Sequence, residues 1–599
     1  MKKIFAIGMV CLLCACQQSN VEVATKQKMQ KVEKEKKPVV TYEDYDVVVA
    51  GGQPEGVSAA VSAARNGTKV LILEKRNNLG GLITFGYLNF LDFPRNKDGV
   101  IVSKGIFKEW HRLAGNGQPV TVDIDKAQNA FQTLVTNEAN ITTMYNTKIT
   151  KPIFDSKEKN NLVAVEAELK DGRKVTYRAK RFIDATEDGD LAQISHVPST
   201  VGQEDIGRND KMAVTLVMHF KNVDWNGVIE TAKSRKFGYA NYNDNAAWGF
   251  GGMPQAYPEI RNDTNVRGLN IGRTSNGDIY INALQIFNID GTKEEDKKKA
   301  IKFGTEEMTN FLSWAKVNFP GFQQAEIASI PSELYIRETR HFSTEYQLSL
   351  EDIWKNANHW DDIAIGSYPS DVQALNKENS GAVVAKPDQY GIPYRTMVPK
   401  TTNNLLITSK AGGYRSLAAG SARIIPTGMS VAEAGGVAAS ISIKEGIGFR
   451  EMIAREDLVK RIQEQIVAQG GYLQPRENVT YPYQNDPILP HLMFLNENGL
   501  IIGGYTNNFL LEQPMKEQQF LNLIINGAKQ LNKEWYKKNS EHLHELAVTS
   551  ADQALTMNYV LRFQPLFQTP VPHYTGVLLK RNGFEIAANW LQGIQTQNK

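Results

Sequence analysis

One segment near the start of the chain restricts the possible folds more than any other. Val47–Ala50 is a β-branched run suited to a buried parallel strand. Gly51–Gly56, with the sequence GGQPEG, follows it, and the small residues of Val57–Arg65 have the pattern of a helix. Lys69–Leu73 is a second strand pattern, and Glu74 comes directly after it. This order of strand, glycine turn, helix and strand is typical of an α/β fold that binds a dinucleotide.

The residues of this unit have separate physical roles. Gly51 permits the tight turn, and Gly56 lets the helix pack closely against the strand. The helix N-terminus offers free N–H groups and a positive dipole to a pyrophosphate, while Glu74 can accept hydrogen bonds from ribose hydroxyls. Gln53 departs from the usual pattern, in which a middle glycine allows the closest approach of the backbone. The predicted nucleotide contacts here are Gly51, Gly52, Gln53, Pro54, Glu55, Gly56 and Glu74.

The stretch after the second strand favours FAD over NAD. Glu74–Gly81, EKRNNLGG, resembles the stretch that flavoproteins of the succinate dehydrogenase/fumarate reductase superfamily carry at this point. In that superfamily the paired glycines run beside the phosphates and ribityl chain of the flavin, where backbone without side chains is needed. No histidine adjoins Gly80–Gly81, so the resemblance implies FAD that is bound non-covalently.

Two distant segments resemble the same superfamily. Phe182–Leu191 is similar to the strand and turn that return the chain to the FAD domain, and Asn404–Thr408 with Ile424–Ala439 is similar to the closing strand and helix. The N-terminus of that helix could stabilise negative charge on a reduced flavin, or the helix could be purely structural. The resemblance adds the following predicted FAD contacts: Lys75, Arg76, Gly80, Gly81, Leu82, Ile149, Ala185, Thr186, Asp190, Glu433, Gly435 and Val437.

These blocks, in this order, make the chain similar to the FAD-dependent oxidoreductases found in many secreted bacterial proteins. Further matches are Ile336–Arg340 and Tyr390–Arg395, and the resemblance covers residues 44 to 446. The sequence has no second glycine-rich unit of this kind, so we expect no dedicated NAD(P)H domain. The expected electron partner is therefore external: a quinone, an electron-transfer protein or oxygen.

The predicted fold class is α/β: a Rossmann-like FAD-binding domain with an inserted α+β substrate or cap domain and a mainly helical C-terminal region. The C-terminal stretch Leu489–Tyr505 partly resembles a surface-layer homology repeat, but Lys516–Gln519 replaces that family's Thr-Arg-x-Glu tract, and a helical packing module is the alternative. The predicted boundaries are a lipoprotein signal peptide at 1–16, a flexible tether at 17–42, the FAD-binding domain at 43–204 and 401–446, the substrate domain at 205–400 and the helical region at 447–599.

The candidate catalytic residues come from the polar cluster at 337–341. If the chain is extended there, Thr339 and His341 share the side of Arg337, while Glu338 and Arg340 lie opposite. We expect Arg340 or His341 to face the flavin, and a structural ion-pair network is the alternative. Supporting positive charge is expected from Arg415 and Arg423, and a second candidate proton donor is Tyr394.

The N-terminus predicts export. Lys2 and Lys3 precede an apolar run, Ile4–Ala15, that would rise only about 18 Å as a helix and is too short to span a bilayer. The run ends in a sequence that resembles a bacterial lipobox, which predicts a lipid on Cys16 and a membrane anchor. Gln17 then implies the outer membrane, and a signal peptide without lipid is the alternative.

Composition excludes several other functions. All three cysteines lie within the first 16 residues, which excludes a disulfide framework, a zinc–thiolate site or a cysteine nucleophile in the rest of the chain. Lys and Arg total 68 against 65 for Asp and Glu, so no basic excess indicates nucleic acid. His542 and His544 are two residues apart, on different sides of a predicted helix, and we predict no metal site.

The sequence therefore predicts an exported FAD-dependent enzyme that transfers a hydride between a small organic substrate and flavin N5. A carbohydrate-derived alcohol and an unsaturated acid both remain possible substrates. The alternative is a non-catalytic protein that keeps a flavin fold and binds the cell envelope through its C-terminal region.

Overall fold

The structure is a computed structural model that describes residues 42–115, 120–474, 476, 479–546, 552–567 and 569–597. The predicted signal peptide, Cys16 and nearly all of the predicted tether lie outside the described residues.

The described strands are β1 Tyr42–Ala50, β2 Val70–Leu73, β3 Ile141–Met144, β4 Lys148–Phe154, β5 Leu162–Glu168, β6 Lys174–Asp184, β7 Ser199–Val201, β8 Val214–Lys221, β9 Ala240–Tyr242, β10 Ala246–Gly249, β11 Thr264–Val266, β12 Asn270–Arg273, β13 Ile279–Ile286, β14 Glu326–Ser329, β15 Arg340–Phe342, β16 Asp362–Gly366, β17 Ser370–Gln373, β18 Gly381–Ala385, β19 Tyr390–Pro393 and β20 Leu405–Ile407.

The described α-helices are α1 Pro54–Arg65, α2 Gly81–Phe85, α3 Ile106–Ala114, α4 Ile124–Thr136, α5 Asp190–Ile194, α6 Trp225–Ser234, α7 Met253–Ala256, α8 Glu294–Asn318, α9 Leu350–Trp354, α10 Ser416–Ala422, α11 Ile425–Glu445, α12 Phe449–Met452, α13 Glu456–Ala468, α14 Leu489–Glu497, α15 Glu517–Leu531, α16 Lys533–Leu546, α17 Met557–Leu561 and α18 Lys580–Thr596. Short 3₁₀ turns occur at Glu204–Ile206, Tyr394–Met397, Gly504–Thr506 and Gln564–Leu566.

The first sheet is the predicted nucleotide-binding unit. Its strands β3, β2, β1, β6 and β20 lie side by side in parallel, and β5 and β4 extend the sheet antiparallel from β6. Strands β2 and β20 and the ends of β1 and β6 that lie beside them are apolar and buried, as strands covered by helices on both faces must be, whereas the edge strand β3 is partly exposed. The predicted strand, turn, helix and strand over 47–74 are therefore confirmed, with α1 beginning at Pro54.

Helices α1 and α11 pack against each other with almost no space between their backbones. A Cβ at Gly436 would lie 2.4 Å from the carbonyl oxygen of Ala59, so no larger side chain fits there. Two serines of α1 join the helices, because Ser58 Oγ donates to the Met429 carbonyl and Ser62 Oγ to the Glu433 carbonyl, each at 2.7 Å. The small residues on several faces of both helices thus serve this close contact.

The inserted region contains a second, antiparallel sheet. The strand order is β14-β8-β13-β12-β10-β9, with β11 also paired to β13. Its apolar core includes Phe220 of β8, Phe311 of α8 and Phe322, whose rings contact one another at centroid distances of 5.8 to 6.3 Å. This sheet and its helices correspond to residues 214–329.

The segment after the second sheet returns to the first domain. Ile363 on β16 and Ile392 on β19 belong to the same apolar core as α1 and α11. Strand β15 pairs with β7, and the hairpin β17–β18 packs against α10. The inserted chain therefore both forms its own sheet and extends the wall of the nucleotide-binding domain.

The C-terminal region is mainly helical, as predicted. Helices α14 to α18 enclose a core in which the rings of Phe567 and Trp590 stack at 4.4 Å. The same core takes in Trp354 and Val384 from the inserted region, so the C-terminal helices rest on the hairpin β17–β18 and its neighbours. The predicted helix that contains His542 and His544 is observed as part of α16.

No single described helix is long and apolar enough to cross a membrane, although α10 and α11 together pass by length and composition, with a bend of 92° between them. No group of three or more His, Cys, Asp or Glu side chains in the described ranges is arranged to hold a metal ion.

Candidate active site

Two adjoining cavities lie beyond the carboxyl ends of the parallel strands, which is where open α/β sheets bind ligands. The first cavity has an empty volume of about 1270 Å³ and the second of about 640 Å³, each with its mouth included. Gln53 and Glu187 line both cavities, so these two side chains mark the place where they meet.

The glycine turn shapes the wall between strand and helix. Gly51 has φ of +90°, a backbone conformation that favours glycine, and a Cβ there would lie 3.1 Å from the backbone of Thr186. A Cβ at Gly56 would lie 2.0 Å from the Gly51 carbonyl oxygen. The turn therefore has the tightness that a pyrophosphate site at a helix N-terminus needs.

Glu74 is fully buried at the end of β2 and organises the turn as well as lining the first cavity. Its carboxylate accepts hydrogen bonds from the Gly52 N–H at 2.5 Å and the Arg76 N–H at 2.7 Å. The Arg76 side chain is a third donor, with Nη1 at 3.2 Å from Glu74 Oε1. A carboxylate held in this way is positioned to accept further bonds from ribose hydroxyls.

Gln53, the departure from the glycine pattern, is accommodated by the paired glycines. Its side chain fills the space in front of Gly81, where a Cβ would lie 2.3 Å from Gln53 Cδ. With its amide oxygen turned towards Arg76, Gln53 accepts hydrogen bonds from the guanidinium at 2.9 and 3.0 Å. Gly81, which has no side chain, thus leaves the space that the Gln53 side chain occupies.

Arg76 connects the nucleotide-binding domain to the inserted region. Its guanidinium forms a two-pronged contact with Glu333, with Nε at 2.5 Å and Nη2 at 2.8 Å from the carboxylate oxygens. Burial alone would lower the pKa of Arg76, but Glu333, Glu74 and Glu187 together raise it above its ordinary value. Arg76 is therefore held as a cation beside the first cavity, suited to a phosphate.

A network of opposite charges lies beside both cavities. Lys410 Nζ contacts Glu187 at 2.9 Å and Asp188 at 3.5 Å, and Lys297 Nζ contacts Asp188 at 3.4 Å. Burial would raise the pKa of Asp188, but the two lysines lower it to about 2. Asp188 and the two lysines are therefore charged at neutral pH, and the network fixes the loop that follows β6.

The second cavity contains two buried arginines around one tyrosine. Arg423 Nη1 donates to the Tyr335 hydroxyl at 2.9 Å, and Arg423 Nη2 lies 3.3 Å from Asp371 Oδ2. Arg337 lies over the Tyr335 ring at 3.9 Å and donates to Thr215 Oγ1 at 2.9 Å. Burial, together with the nearby positive charges, lowers the pKa of Arg337 to about 10, so it remains a cation at neutral pH.

Arg423 has a donor that the protein does not use. Its side chain is 3% exposed, and its Nε has no hydrogen-bond partner among the described residues. Burial alone would lower the pKa of Arg423, but Tyr335, Asp371, Tyr368 and Asp92 raise it. A permanent cation with an unpartnered buried N–H therefore lines the second cavity.

Asp92 provides a carboxylate on the same cavity. It is open to the cavity, while protein surrounds it on the other sides, and this partial removal from bulk water raises its pKa despite the opposing charge of Arg423. Tyr368 lies nearby, and its pKa is raised by burial and by the charges of Asp92 and Asp371. An accessible carboxylate with a raised pKa is suited to take or give a proton.

The N-terminal turns of α1 and α11 also reach the second cavity. Glu55 of α1 and the Ile424–Pro426 segment before and within α11 line it. Burial raises the pKa of Glu55 to about 7. The α11 N-terminus is predicted to stabilise negative charge on a reduced flavin. That role requires the helix end to lie at the cavity, because a helix dipole acts only close to the helix end.

The structure separates the candidate catalytic residues. Arg337 and Arg423 line the second cavity, whereas Arg340 lines the first and donates to the Asp188 carbonyl at 3.0 Å. Three others line neither cavity: His341 lies 3.1 Å from Glu338, Arg415 Nε lies 3.5 Å from Asp205, and the Tyr394 hydroxyl donates to the Phe449 carbonyl at 3.0 Å.

The alternation expected over 337–341 is wrong in one respect. His341 pairs with Glu338, although an extended chain would place the two on opposite sides. The strand begins only at Arg340, so strict alternation does not reach back to Arg337.

The predicted cofactor contacts divide into three groups. The first cavity is lined by Gly51, Gln53, Glu74, Lys75, Arg76, Ile149, Thr186 and Asp190, and the second by Gln53, Pro54, Glu55 and Leu82. The lining of neither cavity includes Gly52, Gly56, Gly80, Gly81, Ala185, Glu433, Gly435 or Val437. The glycines among them allow neighbouring groups to pack closely against their backbone. Glu433 Oε2 instead accepts a hydrogen bond from the Ile106 N–H at 3.0 Å, behind the cavities.

Several residues in and around the second cavity were not predicted from the sequence. Asp92, Tyr335 and Lys410 line the cavity, while Tyr368 and Asp371 lie beside Arg423, and none of the five is part of a repeated spacing or a motif. The one available signal was for Tyr335 and Tyr368, which belong to the aromatic-rich stretch over 205–400.

Comparisons with known proteins agree with this architecture. The sequence pattern of the family described as "FAD dependent oxidoreductase" matches residues 46–466. Digeranylgeranylglycerophospholipid reductase of Methanocaldococcus jannaschii is 35% identical over 94 residues, which cover 14% of this chain and 22% of that enzyme. The chain therefore matches only about a fifth of that relative's length.

Two solved structures match large parts of the chain at low identity and low TM-score. A geranylgeranyl bacteriochlorophyll reductase-like protein from Thermoplasma acidophilum is 14% identical, with a TM-score of 0.39 over 84% of this chain and 100% of that one. p-Nitrophenol 4-monooxygenase from Pseudomonas putida DLL-E4 is 13% identical, with a TM-score of 0.34 over 76% of this chain and 95% of that one.

The parallel sheet with its glycine turn, and the cavities at the strand ends, define a dinucleotide-binding α/β protein. The chain belongs to the FAD-dependent oxidoreductase family, since the family pattern covers more than two thirds of its residues. It is an FAD-dependent enzyme, as predicted. The site fits that cofactor, because the glycines at 51 and 56 leave no room for a Cβ at the turn and Glu74 already faces the first cavity.

Proposed function

We propose that the enzyme oxidises an alcohol group of a small carbohydrate-derived substrate in the second cavity. The observation that carries this proposal is that an accessible carboxylate, Asp92, and a buried cation, Arg423, line the same cavity. Removal of hydride from an alcohol carbon requires that the hydroxyl proton leave as well, and the two groups supply that need.

The chain's own residues act on the substrate hydroxyl. Asp92 takes the hydroxyl proton, and the unpartnered Nε of Arg423 donates to the oxygen as negative charge develops on it. The electron pair of the carbon–hydrogen bond leaves as hydride, and the product is a carbonyl compound. Tyr335 holds Arg423 in place through its hydroxyl, and the ring of Tyr335 supports Arg337.

The residues that would hold FAD are those of the first cavity and the glycine turn. Glu74 would accept from the ribose hydroxyls, and Arg76 with the α1 N-terminus would meet the phosphates. When bound, FAD supplies the hydride acceptor at flavin N5.

A second candidate reaction is the reduction of an unsaturated acid, and Arg337 favours it. This buried guanidinium donates to Thr215 and Asn282, yet it has no carboxylate within 4.0 Å among the described residues. A substrate carboxylate would give Arg337 a charged partner, and Asp92, when protonated, would return a proton to the carbon skeleton. No observation favours the non-catalytic envelope-binding alternative.

We also propose that the protein is exported, carries a lipid on Cys16, sits at the outer membrane and exchanges electrons with a quinone, an electron-transfer protein or oxygen. These proposals rest on the first 17 residues and on the lack of a second glycine-rich unit in the sequence. Metabolic labelling with a fatty acid in wild-type and Cys16→Ala chains tests the lipid. Equal labelling of both chains would overturn that part.

Anaerobic flavin spectra test the reaction. For the proposed oxidation, the yellow protein should bleach when mixed with sugars or sugar alcohols. For the second candidate, dithionite-reduced protein should regain its colour when mixed with unsaturated acids. Bleaching by a sugar, absent when Asp92 is replaced by Asn, supports the first reaction, whereas recolouring by an acid without any bleaching by sugars rejects it.

A further inference from the structure

One short turn of the C-terminal region lies against the hairpin β17–β18, which carries a residue that contacts the lining of the second cavity. The turn Gly504–Thr506 is fixed to strand β18, because the Gly503 N–H donates to the Val384 carbonyl at 3.0 Å. Asn507 then pairs with Lys386, accepting from its N–H at 2.8 Å and donating to its carbonyl at 2.6 Å. These bonds hold the turn in one place relative to the hairpin β17–β18.

The hairpin connects this turn to the cavity. Asp371 on β17 is the register partner of Val383 on β18. The Asp371 carboxylate contacts Arg423, which lines the second cavity. Only the width of this hairpin therefore separates the turn from a residue of the proposed reaction site.

Tyr505 is the side chain that the turn presents. It is 72% exposed, and its hydroxyl has no hydrogen-bond partner among the described residues. Partial burial by the surrounding protein raises the pKa of Tyr505, and the charges of Asp371 and Asp92 raise it further. Both carboxylates therefore lie within electrostatic reach of its hydroxyl. An exposed ring beside carboxylates, with no packing partner to explain it, is suited to contact a ligand.

The side chains of Tyr505, Asp371 and Arg423 match the chemistry of a sugar ring. A pyranose has an apolar C–H face that stacks on an aromatic ring and hydroxyls that donate to carboxylates. Tyr505 supplies the ring, Asp371 supplies a carboxylate that is 27% exposed, and Arg423 supplies the buried donor below. None of these three residues belongs to the same segment of the chain.

We infer that Tyr505 and Asp371 form an outer subsite for a second sugar unit, so that the preferred substrate is a disaccharide or glycoside whose reacting unit lies in the second cavity. This inference rests on the proposed function for the identity of the reacting unit. It gives the C-terminal region a role in substrate choice.

The test uses FAD-loaded protein and two matched pairs of probes, glucose with cellobiose and galactose with lactose. Perturbation of the oxidised flavin spectrum reports binding, and anaerobic bleaching reports reaction. The disaccharides should bind at least tenfold more tightly than the monosaccharides. Tyr505→Ala should remove this preference, and Tyr505→Phe should keep it.

Tyr239→Ala is the matched control, because Tyr239 is also largely exposed but directly precedes β9, the edge strand of the second sheet. Equal binding of both members of each pair by the wild type, or an unchanged preference in Tyr505→Ala, overturns the subsite. Disaccharides that bind through Tyr505 but never bleach the flavin would support the subsite and reject the proposed oxidation. The two ideas can thus fail separately.

Discussion

The two cavities are built in different ways. The first takes its main features from the segment 51–76, where backbone shape and one buried carboxylate decide the geometry. The second takes its polar groups from segments around residues 55, 92, 335, 410 and 423. Cofactor binding is therefore encoded locally, whereas the reaction chemistry exists only once the chain has folded. Substitutions should therefore act on the two cavities separately.

The largest effect is expected at the turn of the first cavity. In Gly56→Val the new Cβ would meet the Gly51 carbonyl oxygen at 2.0 Å, so the helix must move away from the strand. We expect a loss of about 3 kcal/mol or more in the free energy of unfolding and no retained FAD. Urea unfolding and the ratio of flavin to protein absorbance measure these two outcomes.

Gly251→Ala is the control for that variant, because a Cβ at Gly251 meets no atom within 4 Å. It should keep full flavin content and change stability by less than about 1 kcal/mol. A Gly56→Val protein purified with a full complement of flavin would show that backbone shape does not decide the first cavity.

A large effect confined to the second cavity is expected for Asp92→Asn. The amide cannot take the substrate proton, so the rate of substrate-dependent bleaching should fall by about 100-fold, while flavin content stays normal. The wild-type rate should rise with pH as Asp92 loses its proton, with a midpoint above the ordinary value of 3.8, since its pKa is raised. The variant should lack that rise in stopped-flow traces.

Asp98→Asn is the matched control on the same loop, because Asp98 is exposed and forms its ion pair with the neighbouring Lys97. Its bleaching rate should equal that of the wild type. An Asp92→Asn enzyme that reacts at the normal rate would move the proton acceptor to another residue.

Glu433 is a buried carboxyl group on α11, a helix that is otherwise rich in alanine and glycine and packs behind the cavities. Burial raises its pKa to about 7, whereas the unfolded chain has about 4.5. The folded state therefore holds a proton that the unfolded state releases, so this contribution to stability is full below pH 4.5 and is lost as pH rises through 7. The loss by pH 8 is about 3 kcal/mol at most.

Glu433→Gln removes that pH dependence. Between pH 5 and pH 8 the free energy of unfolding of the variant should improve by about 2 kcal/mol relative to the wild type, measured by urea titration with FAD in excess. The exposed control Glu464→Gln should show no such change. Parallel pH curves for Glu433→Gln and the wild type would place a charged Glu433 in the folded core.

The sequence was informative where a feature depends on neighbours in the chain. The turn at 51–56, the acidic residue at 74 and the order of strands and helix all follow from local pattern. His341 was a reasonable candidate by residue type, but the fold buries it against Glu338. Asp92 could not be selected, because nothing within several residues distinguishes it from the neighbouring Asp98 until Arg423 lies near it.

The smallest effect is expected at Arg340, which sharpens the comparison most directly because its sequence neighbour Arg337 lines the other cavity. Arg340 is 15% exposed, and its main contacts are the Asp188 carbonyl and Asp190. Arg340→Ala should weaken FAD binding about three- to tenfold, measured by titrating the apo-protein, since one hydrogen bond and a weak ion pair are lost. With FAD saturating, bleaching should keep its normal rate.

The exposed control Arg173→Ala should change neither quantity. If Arg340→Ala instead retained FAD but bleached slowly, Arg340 would act in the reaction, and the division of the two cavities between cofactor and substrate would be wrong.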